Sequence, residues 1–476
     1  MKRRIFTALL AVLMLLSLTG GAFASGTDNS GASYAQCYVA VNGTELQETA
    51  LERDGLFYLP VRAVCGGLGY NISWSQEKNA VKLTADGRAD ILLNLNDQTV
   101  TKNGHTFSMM TVNYDMGYVV QNNRTYLSEE LFSELFAVGY QFDSAQNTIF
   151  LSVLAENSMV ISTMKLSSED ENLKVTVQYP QISALADNNV QSGINDVLRQ
   201  AAEDAVSEGI KNAYDVMTTR MEYPDFTAKA ETFFDYRIKY NQNGLLSLVL
   251  LDYQYAGGAH GGTVQTGVTF DLSTGKELGL SDLMNSEFSY ISYLDKNIRS
   301  EIDKKIAAGE LAEISEFKTI GDKPDFYLTN DSLVIFFQQY EYFPYAAGIQ
   351  EFSFSYAKLS EMFKSAFGFL FGKTAELIQT GTNFLAVGDT ASVTLRGNPT
   401  TGYGWYYSFS TDGVLTETKN SYTPDSALTG AGGTYVWNFK AVQPGTTTVT
   451  FQYYRPWEGD SYITADNTVT YTVTVK

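Results

Sequence analysis

The chain has 476 residues, more than one hydrophobic core usually organises, so its length predicts about three domains. Its 53 acidic and 33 basic side chains give a net charge of −20, which phosphate backbones and anionic lipid surfaces would repel. Composition therefore argues against nucleic acid and membrane surfaces as partners.

The amino terminus is typical of a secretory signal peptide. Basic residues at positions 2–4 precede an apolar run, residues 5–18, and Ala22-Phe23-Ala24 is a small-x-small cleavage site. The run is shorter than the ~20 residues that span a bilayer, and no later segment reaches that length. We therefore expect a signal peptide over residues 1–24, a secreted protein without a membrane span, and a flexible linker over residues 25–35.

Two cysteines, Cys37 and Cys65, follow the predicted cleavage site. An exported protein folds where disulfides form, so the two thiols can be bridged. Cys65 also lies in an apolar helical stretch, residues 61–68, where a buried thiol packs as a small apolar group. Both alternatives stay open, because sequence does not fix the distance between the two Cα atoms.

Residues 36–153 contain an internal repeat. Tyr58-Leu59-Pro60-Val61-Arg62 begins a predicted helical run that ends near Gly69, and Tyr126-Leu127-Ser128-Glu129-Glu130 begins a second that ends near Gly139. The starts of the two copies are 68 residues apart and their ends are 70 residues apart, and this agreement indicates a duplicated unit. Asn-Gly turns precede the copies at positions 42–43 and 103–104, and we expect the adjoining His105 to be solvent-exposed.

This repeat segment resembles the copper amine oxidase N-terminal-like domain that is common in exported bacterial proteins. The resemblance implies a non-catalytic α+β module associated with the cell wall. Asn113-Tyr114-Asp115 matches the tripeptide around the self-modified tyrosine of copper amine oxidases, but such a copper site needs three histidines. The whole chain has only His105 and His260, so we predict neither oxidase activity nor a metal or other cofactor.

Residues 158–366 mix strand and helix patterns, which predicts an α+β domain. Its two long helices are expected at residues 190–213 and 288–307, where apolar side chains recur on one helical face. Strands are expected at residues 173–179, 236–240, 245–255, 332–337 and 352–356.

Four short segments of this middle region carry a second resemblance. They are Gly257-Gly258-Ala259-His260-Gly261, Phe270-Asp271-Leu272, Gly275-Lys276 and Pro344-Tyr345-Ala346-Ala347-Gly348. They resemble an extracellular domain found in lysozyme-sensing anti-sigma factors and beside peptidoglycan deacetylases. The resemblance implies a cell-envelope setting, with an enzyme or a glycan as the binding partner.

His260 has two interpretations, a general base or ligand, or part of a structural or binding loop. We favour the loop, because no cysteine, second histidine or nucleophile-turn serine lies near it in the sequence. A carboxylate-based hydrolase stays a third hypothesis. Glu222, Asp225 and Asp235 lie among aromatic residues, but a solvated sheet edge explains them equally well.

Residues 374–476 alternate apolar and polar side chains over several short runs, which predicts an all-β, immunoglobulin-like sandwich. The last run, residues 468–475, alternates threonine with valine or tyrosine. Three Gly- and Pro-containing segments separate the strands. They are Asn398-Pro399-Thr400-Thr401-Gly402-Tyr403-Gly404-Trp405, Gly430-Ala431-Gly432-Gly433 and Arg455-Pro456-Trp457-Glu458.

These segments have two interpretations. Rigid small-residue loops beside Trp and Arg suit a binding surface, because little conformational entropy is left to lose on docking. Alternatively, the glycines form ordinary turns and Trp405, Trp437 and Trp457 belong to the core.

All three segments resemble, in order, the signature loops of the chagasin family, secreted inhibitors of papain-like cysteine peptidases. The resemblance implies an immunoglobulin-like fold whose loops cluster at one end and reversibly occlude the peptidase cleft. Thr400, Thr401 and Gly402 would lie nearest the target's catalytic cysteine, with Arg455 and Trp457 on the primed side and Gly430 to Gly433 on the other arm. The implied peptidase-binding residues are Asn398, Pro399, Thr400, Thr401, Gly402, Tyr403, Trp405, Gly430, Gly432, Gly433, Arg455, Pro456 and Trp457.

We therefore predict a multidomain, non-enzymatic inhibitor whose partner is a papain-like cysteine peptidase. The alternative is a non-catalytic envelope-binding or sensing protein, with peptidoglycan or a lysozyme-like protein as its partner.

Overall fold

The structure is a computed structural model that describes residues 34–41, 44–53, 55–86, 88–110, 117–143, 147–154, 156–359, 361–370, 374–377, 379, 382–385, 389–424, 430–458, 464 and 467–475. The predicted signal peptide, the linker up to residue 33, the Asn42-Gly43 turn and the Asn113-Tyr114-Asp115 tripeptide lie outside these residues. The protein is strand-rich and multidomain, and the described part forms six sheets around several separate apolar cores.

The N-terminal domain consists of two sheets and two short helices around one core. Its elements are β1 (Ala35–Val41), β2 (Thr44–Glu45), β3 (Ala50–Arg53), β4 (Leu56–Pro60), α1 (Val61–Gly67), β5 (Asn71–Ser75), β6 (Ala80–Thr84), β7 (Ile91–Asn94), β8 (Thr99–Lys102), β9 (His105–Ser108), β10 (Tyr118–Gln121), β11 (Arg124–Ser128), α2 (Glu129–Leu135), β12 (Val138–Asp143) and β13 (Thr148–Val153). One sheet has the order β10-β11-β4-β3-β1-β13-β12, with β2 beside β1, and the other has the order β5-β6-β7-β8-β9.

The two repeats pair with each other across this domain. The β4–α1 unit and the β11–α2 unit correspond, and β11 runs antiparallel to β4 with Leu127 opposite Leu59. The helices are shorter than predicted, because each repeat begins as a strand and only then turns into a helix. Cys37 and Cys65 are free, buried thiols, and burial raises the pKa of Cys37 to about 11. In this structure the bridge is not formed.

The middle region contains two packed units. Its elements are β14 (Val160–Glu169), β15 (Leu173–Ser183), α3 (Asn188–Glu222), β16 (Ala230–Gln242), β17 (Leu245–Tyr255), β18 (Gly262–Asp271), α4 (Leu280–Leu283), α5 (Tyr290–Ala307), β19 (Phe326–Leu328), β20 (Ser332–Phe337), β21 (Gln350–Ser355) and α6 (Tyr356–Leu359). In the first unit α3 packs on the sheet β14-β15-β16-β17-β18, and in the second α5 shares a core with the sheet β19-β20-β21.

Two middle-region predictions need correction. Strand β15 continues past the predicted end at residue 179 and includes Pro180, because parallel pairing with β16 reaches only Val177 and the missing N–H is not needed there. On the helices, Ile210 and Ile306 lie outside the cores, at 46% and 38% exposed. The rest of each predicted apolar face is confirmed at Ile194 and Leu198 on α3 and at Leu294, Ile298 and Ile302 on α5, which are all buried.

The C-terminal domain is built from two four-stranded sheets that enclose an aromatic-rich core. Its strands are β22 (Thr374–Glu376), β23 (Thr382–Leu385), β24 (Thr390–Gly397), β25 (Gly404–Phe409), β26 (Leu415–Pro424), β27 (Gly433–Ala441), β28 (Gly445–Tyr454) and β29 (Thr468–Val475). The sheet orders are β22-β24-β27-β26 and β23-β29-β28-β25. Trp437 from one sheet and Phe451 from the other meet with ring centroids 4.7 Å apart.

A group of polar and charged side chains joins the N-terminal domain to the middle region. We call it the charged seam, and it consists of His105, Glu134, Asp235, Arg237 and Lys239. His105 Nε2 lies 2.6 Å from Asp235 Oδ1, and Lys239 forms an ion pair with Glu134. His105 is 6% exposed and Asp235 is 3% exposed, so the expectations of an exposed hairpin histidine and, for Asp235, of a solvated sheet edge are wrong, whereas Glu222 and Asp225 are exposed. The His105 and Asp235 side chains face the neighbouring domain, which local sequence does not reveal.

No helix in the described part of the chain is both long and apolar enough to cross a membrane.

Candidate functional site

Strand register brings the three predicted loops to one end of the C-terminal domain. Gly397, at the end of β24, pairs with Gly433, at the start of β27, so the first and second loops emerge side by side. Gly404, at the start of β25, pairs with Tyr454, at the end of β28, which places the third loop beside the first. The first loop crosses between the sheets, while the other two each extend from one sheet.

The first loop is held by its own asparagine. Asn398 Oδ1 accepts hydrogen bonds from the Thr400 backbone N–H at 3.1 Å and the Thr400 hydroxyl at 2.6 Å, and the Thr401 hydroxyl donates to the Asn398 carbonyl at 2.6 Å. Pro399–Thr401 form a single 3-10 turn. Gly402 ends this turn with φ 84°, in the left-handed region that favours glycine. The Asn-Pro-Thr-Thr-Gly order therefore specifies a rigid turn.

Asn398 also connects the first loop to the second. Its side-chain Nδ2 donates to the Gly430 carbonyl at 2.9 Å. Its backbone N–H donates to the Tyr453 hydroxyl at 2.7 Å, and the Tyr453 ring stacks on Tyr403 and packs on Trp405, with centroids 5.3 and 4.9 Å away. One asparagine thus fixes its own turn, the neighbouring loop and a strand residue of the opposite sheet.

Arg455 connects the third loop to the first. Its Nε and Nη2 both donate to the Thr401 carbonyl, at 3.1 and 2.8 Å, while Nη1 donates to Glu458 at 2.9 Å. The guanidinium lies 4.5 Å above the Tyr403 ring, within the range of a cation–π contact. Because one planar group meets all three partners, the first and third loops have one relative position.

Trp457 covers Gly402 and otherwise faces solvent. A Cβ atom on Gly402 would lie 2.8 Å from Cη2 of Trp457, so any larger residue would have to displace the indole. Trp457 is 71% exposed, and Pro399, Thr400, Thr401 and Pro456 are exposed around it. A large exposed indole ringed by rigid backbone is typical of a binding surface.

The three tryptophans of the C-terminal domain support different interpretations of the loops, because some belong to the core and one to the surface. Trp437 is a core residue, 5% exposed. Trp405 is half-buried and donates from Nε1 to the Arg396 carbonyl at 2.9 Å, so it supports the first loop from below. Of these three tryptophans, Trp457 is the one that projects from the surface, as a binding residue requires.

Sequence reasoning missed Tyr453 and Tyr422. Tyr453 carries the hydrogen bond and ring contacts that hold the first loop, yet in sequence it is only one apolar position of an alternating strand. Gly433 lies against Tyr422, where a Cβ atom would be 2.5 Å from the ring and 2.4 Å from the Thr423 carbonyl. Gly433 is therefore a packing glycine of the second loop, whereas Gly430, with φ 91°, is a conformational one.

His260 belongs to a separate aromatic cluster in the middle region. Its ring stacks on Tyr345 at 3.9 Å between centroids, Nδ1 lies 2.9 Å from the Gly261 carbonyl, and Nε2 lies 3.2 Å from the Tyr340 hydroxyl. These contacts make Nδ1 the donor to the carbonyl, so Nε2 accepts from Tyr340. Within the described residues no group of three or more His, Cys, Asp or Glu side chains is arranged to hold a metal ion.

Four family models match the chain in succession. They are described as Copper amine oxidase N-terminal domain over residues 40–151, Deacetylase PdaC over 166–263, Protein of unknown function (DUF3298) over 281–357, and Chagasin family peptidase inhibitor I42 over 385–475. All three resemblances inferred from the sequence motifs are thereby confirmed.

Similar proteins are found for two of these regions. A DUF3298 family protein from Bacteroides fragilis is 17% identical, with 44% of this chain and 96% of that structure covered and a TM-score of 0.38. The cysteine protease inhibitor EhICP2 from Entamoeba histolytica is 26% identical, with 20% of this chain and 86% of that structure covered and a TM-score of 0.18.

Similarity to a curated protein shows the family to which the loop-bearing domain belongs. Chagasin from Trypanosoma cruzi is 37% identical over 83 residues, which make up 16% of this chain and 76% of chagasin. The matched family model and this relative coincide with the domain that carries the three joined loops. The chain therefore belongs, through its C-terminal domain, to the chagasin family of peptidase inhibitors.

Proposed function

We propose that this protein is a secreted, reversible inhibitor of papain-like cysteine peptidases, and that its three C-terminal loops enter and occlude the active-site cleft. The observation that carries the proposal is the connection of the loops. Arg455 joins the third loop to Thr401, and Asn398 joins the first loop to Gly430. Because the loops are already ordered relative to one another, docking loses little conformational entropy.

The chemistry of the exposed tip suits occlusion. The loop tips present Thr, Pro and Gly backbone together with one indole, and the mechanism needs no nucleophile from the inhibitor. Thr400, Thr401 and Gly402 would approach the catalytic cysteine, and Trp457 would pack beside them. Specificity would then depend on shape and on backbone hydrogen bonds, and the complex would dissociate intact.

The direct test is inhibition of papain by the full chain. We expect the double substitution Thr401→Ala and Trp457→Ala to weaken inhibition by about a hundredfold or more, since hot-spot side chains each contribute on the order of 2 kcal/mol. The substitution Val442→Ala, at an exposed side chain outside the loops, is the control. Residues 374–476 alone should inhibit as well. Full papain activity in micromolar excess of folded protein would reject the proposal.

A second role is favoured by the middle region. The cluster joins His260, within the segment that matches Deacetylase PdaC, to Tyr340 and Tyr345, within the segment that matches DUF3298, and Tyr340 is 56% exposed. An exposed aromatic cluster suits binding to a cell-envelope component, peptidoglycan or a lysozyme-like protein. We expect the chain to be retained on purified peptidoglycan or on immobilised lysozyme. Tyr345→Ala should lose this retention, and Tyr214→Ala, the control, should keep it. If both variants are retained equally, this cluster is not the binding site.

A further inference from the structure

We propose that the N-terminal domain binds an oligosaccharide in a cleft between its two sheets. The cleft has a volume of about 690 Å³, within the range of small-molecule sites. Its floor is apolar, and its rim carries Glu48, Arg62, Gln76, Asn79, Asn123 and Arg124. It is separate from the three inhibitor loops and from the His260 cluster, so the inference does not rest on the proposed inhibition.

Trp74 is the feature that points to a ligand. It lies on β5, an edge strand, where it pairs with Val81, while Ile72 pairs with Leu83. Paired residues of antiparallel strands share a face, and Val81 and Leu83 are buried. The indole therefore belongs to the inner, core-facing side of its sheet. It is nevertheless 47% exposed, because the cleft opens beside it.

An exposed aromatic ring on an inner sheet face has apolar surface to bury. A pyranose ring offers a matching face of C–H groups, and the negative face of an indole attracts such weakly positive hydrogens. The hydroxyls at the edge of the sugar then point away from the ring, toward whatever lines the rim. The position of Trp74 within a polar rim fits this division of a sugar into an apolar face and a polar edge.

The rim supplies hydrogen-bonding groups suited to that polar edge. The Asn79 amide donates to Asn96 Oδ1 at 2.9 Å, which orients its carbonyl oxygen. Arg124 and Glu48 form only a loose pair, with Nη2 and Oε1 3.9 Å apart, so both can also bond a ligand. Arg62 is exposed at the start of α1. Carboxylate, guanidinium and amide groups together can donate to and accept from sugar hydroxyls.

The same rim disfavours other ligands. An apolar molecule would take the polar groups from water without replacing their hydrogen bonds, which is costly. A polyphosphate would meet two arginines but also Glu48, on a chain with a net charge of −20. A neutral oligosaccharide satisfies both the indole and the rim.

The test is calorimetric titration of the full chain with two soluble probes, chitotetraose and cellotetraose. We expect saturable binding of at least one probe, weakened at least about tenfold by Trp74→Ala. The matched control is Trp457→Ala, which removes the exposed indole of another domain and should leave the affinity for the sugar unchanged. Conversely, Trp74→Ala should inhibit papain as the unsubstituted chain does.

Two results would overturn the proposal: neither probe binds, or Trp74→Ala binds as tightly as the unsubstituted chain. If Trp74→Ala does not fold, Arg62→Ala decides the matter, because its exposed side chain contributes little to stability. Loss of sugar affinity in that variant supports the cleft, and unchanged affinity rejects it. Failure of the sugar titration leaves papain inhibition unaffected, so the two proposals fail separately.

Discussion

At the scale of single residues, two glycines of the three C-terminal loops are required for different physical reasons. Gly402 and Gly430 both have positive φ angles, 84° and 91°. Only Gly402 lies beneath a neighbouring side chain, with Trp457 where its Cβ atom would be, whereas nothing lies within 4 Å of a Cβ atom on Gly430. Backbone strain and steric contact can therefore be separated by comparing these two positions.

We predict that Gly402→Ala destabilises the C-terminal domain more than Gly430→Ala does. In both variants the left-handed backbone conformation destabilises alanine by about 1 kcal/mol. The contact with Trp457 adds a smaller cost at position 402, less than the about 1–3 kcal/mol of a clash in a core, because the exposed indole can shift. Chemical denaturation monitored by Trp fluorescence measures the difference. In a Trp457→Ala background the two alanine variants should become equally stable, and a persistent difference would show that the indole is not the cause.

At the scale of elements, helix α2 begins with a carboxyl group in an unfavourable environment. Burial, reinforced by the charges of Asp331 and Glu130, raises the pKa of Glu129 to about 7. The folded state therefore keeps this proton to a higher pH than the unfolded chain does. As the pH rises from about 4.5 to 7, the unfolded chain releases this proton while the folded state retains it, so the free energy of unfolding falls. Above about pH 7 the folded state ionises as well, and the loss levels off.

We predict that Glu129→Gln stabilises the protein at pH 8 and changes little at pH 4. The amide removes the cost of ionisation, so the free energy of unfolding should rise by up to about 3 kcal/mol at the higher pH. Urea denaturation at both pH values measures this. Glu45→Gln, on the exposed strand β2, should shift stability by less than about 0.5 kcal/mol at either pH. A gain of equal size at pH 4 would contradict the ionisation account.

At the scale of the whole molecule, the charged seam fastens the N-terminal domain to the middle region. The ammonium of Lys239 is 4% exposed and is paired with Glu134, while Arg237 lies 4.0 Å above the Phe107 ring. Burial lowers the pKa of His105, although the hydrogen bond to Asp235 and its charge oppose the shift. A buried ammonium that loses its carboxylate has no solvent to replace it.

We predict that Glu134→Ala lowers the free energy of unfolding by more than about 1 kcal/mol but by less than the about 3–5 kcal/mol of a fully unpaired buried charge, because Lys239 loses its closest partner and keeps Glu130 at 3.5 Å. The matched control is Glu171→Ala, which removes a pair with Arg220 at an 83% exposed carboxylate and should cost less than about 1 kcal/mol. Calorimetry measures both. Equal stability of the two variants would mean that the seam does not hold the domains together.

Much of this organisation is visible in the sequence. The repeat, the strand pair around Asn243-Gly244 and the alternation over residues 468–475 each correspond to observed elements, because hydrophobic period and turn chemistry act between neighbours. The three loop motifs are also readable in the sequence, because Asn398, Gly402 and Gly430 each impose a local conformation. These motifs carried the resemblance to the family. Helix starts were less predictable, as both repeats begin as strands that pair with each other.

The sequence by itself thus determined the strands, turns and loop conformations of this protein. These depend on the φ preferences and spacing of residues that are adjacent in the chain, and not on tertiary contacts. The tertiary structure decided everything that joins distant residues. It buried His105 against Asp235, left Cys37 and Cys65 as separate thiols, opened a cleft beside Trp74 and brought Arg455 to Thr401. Such contacts depend on strand register and domain packing, which arise from the free energy of the whole chain and leave no local periodic signal.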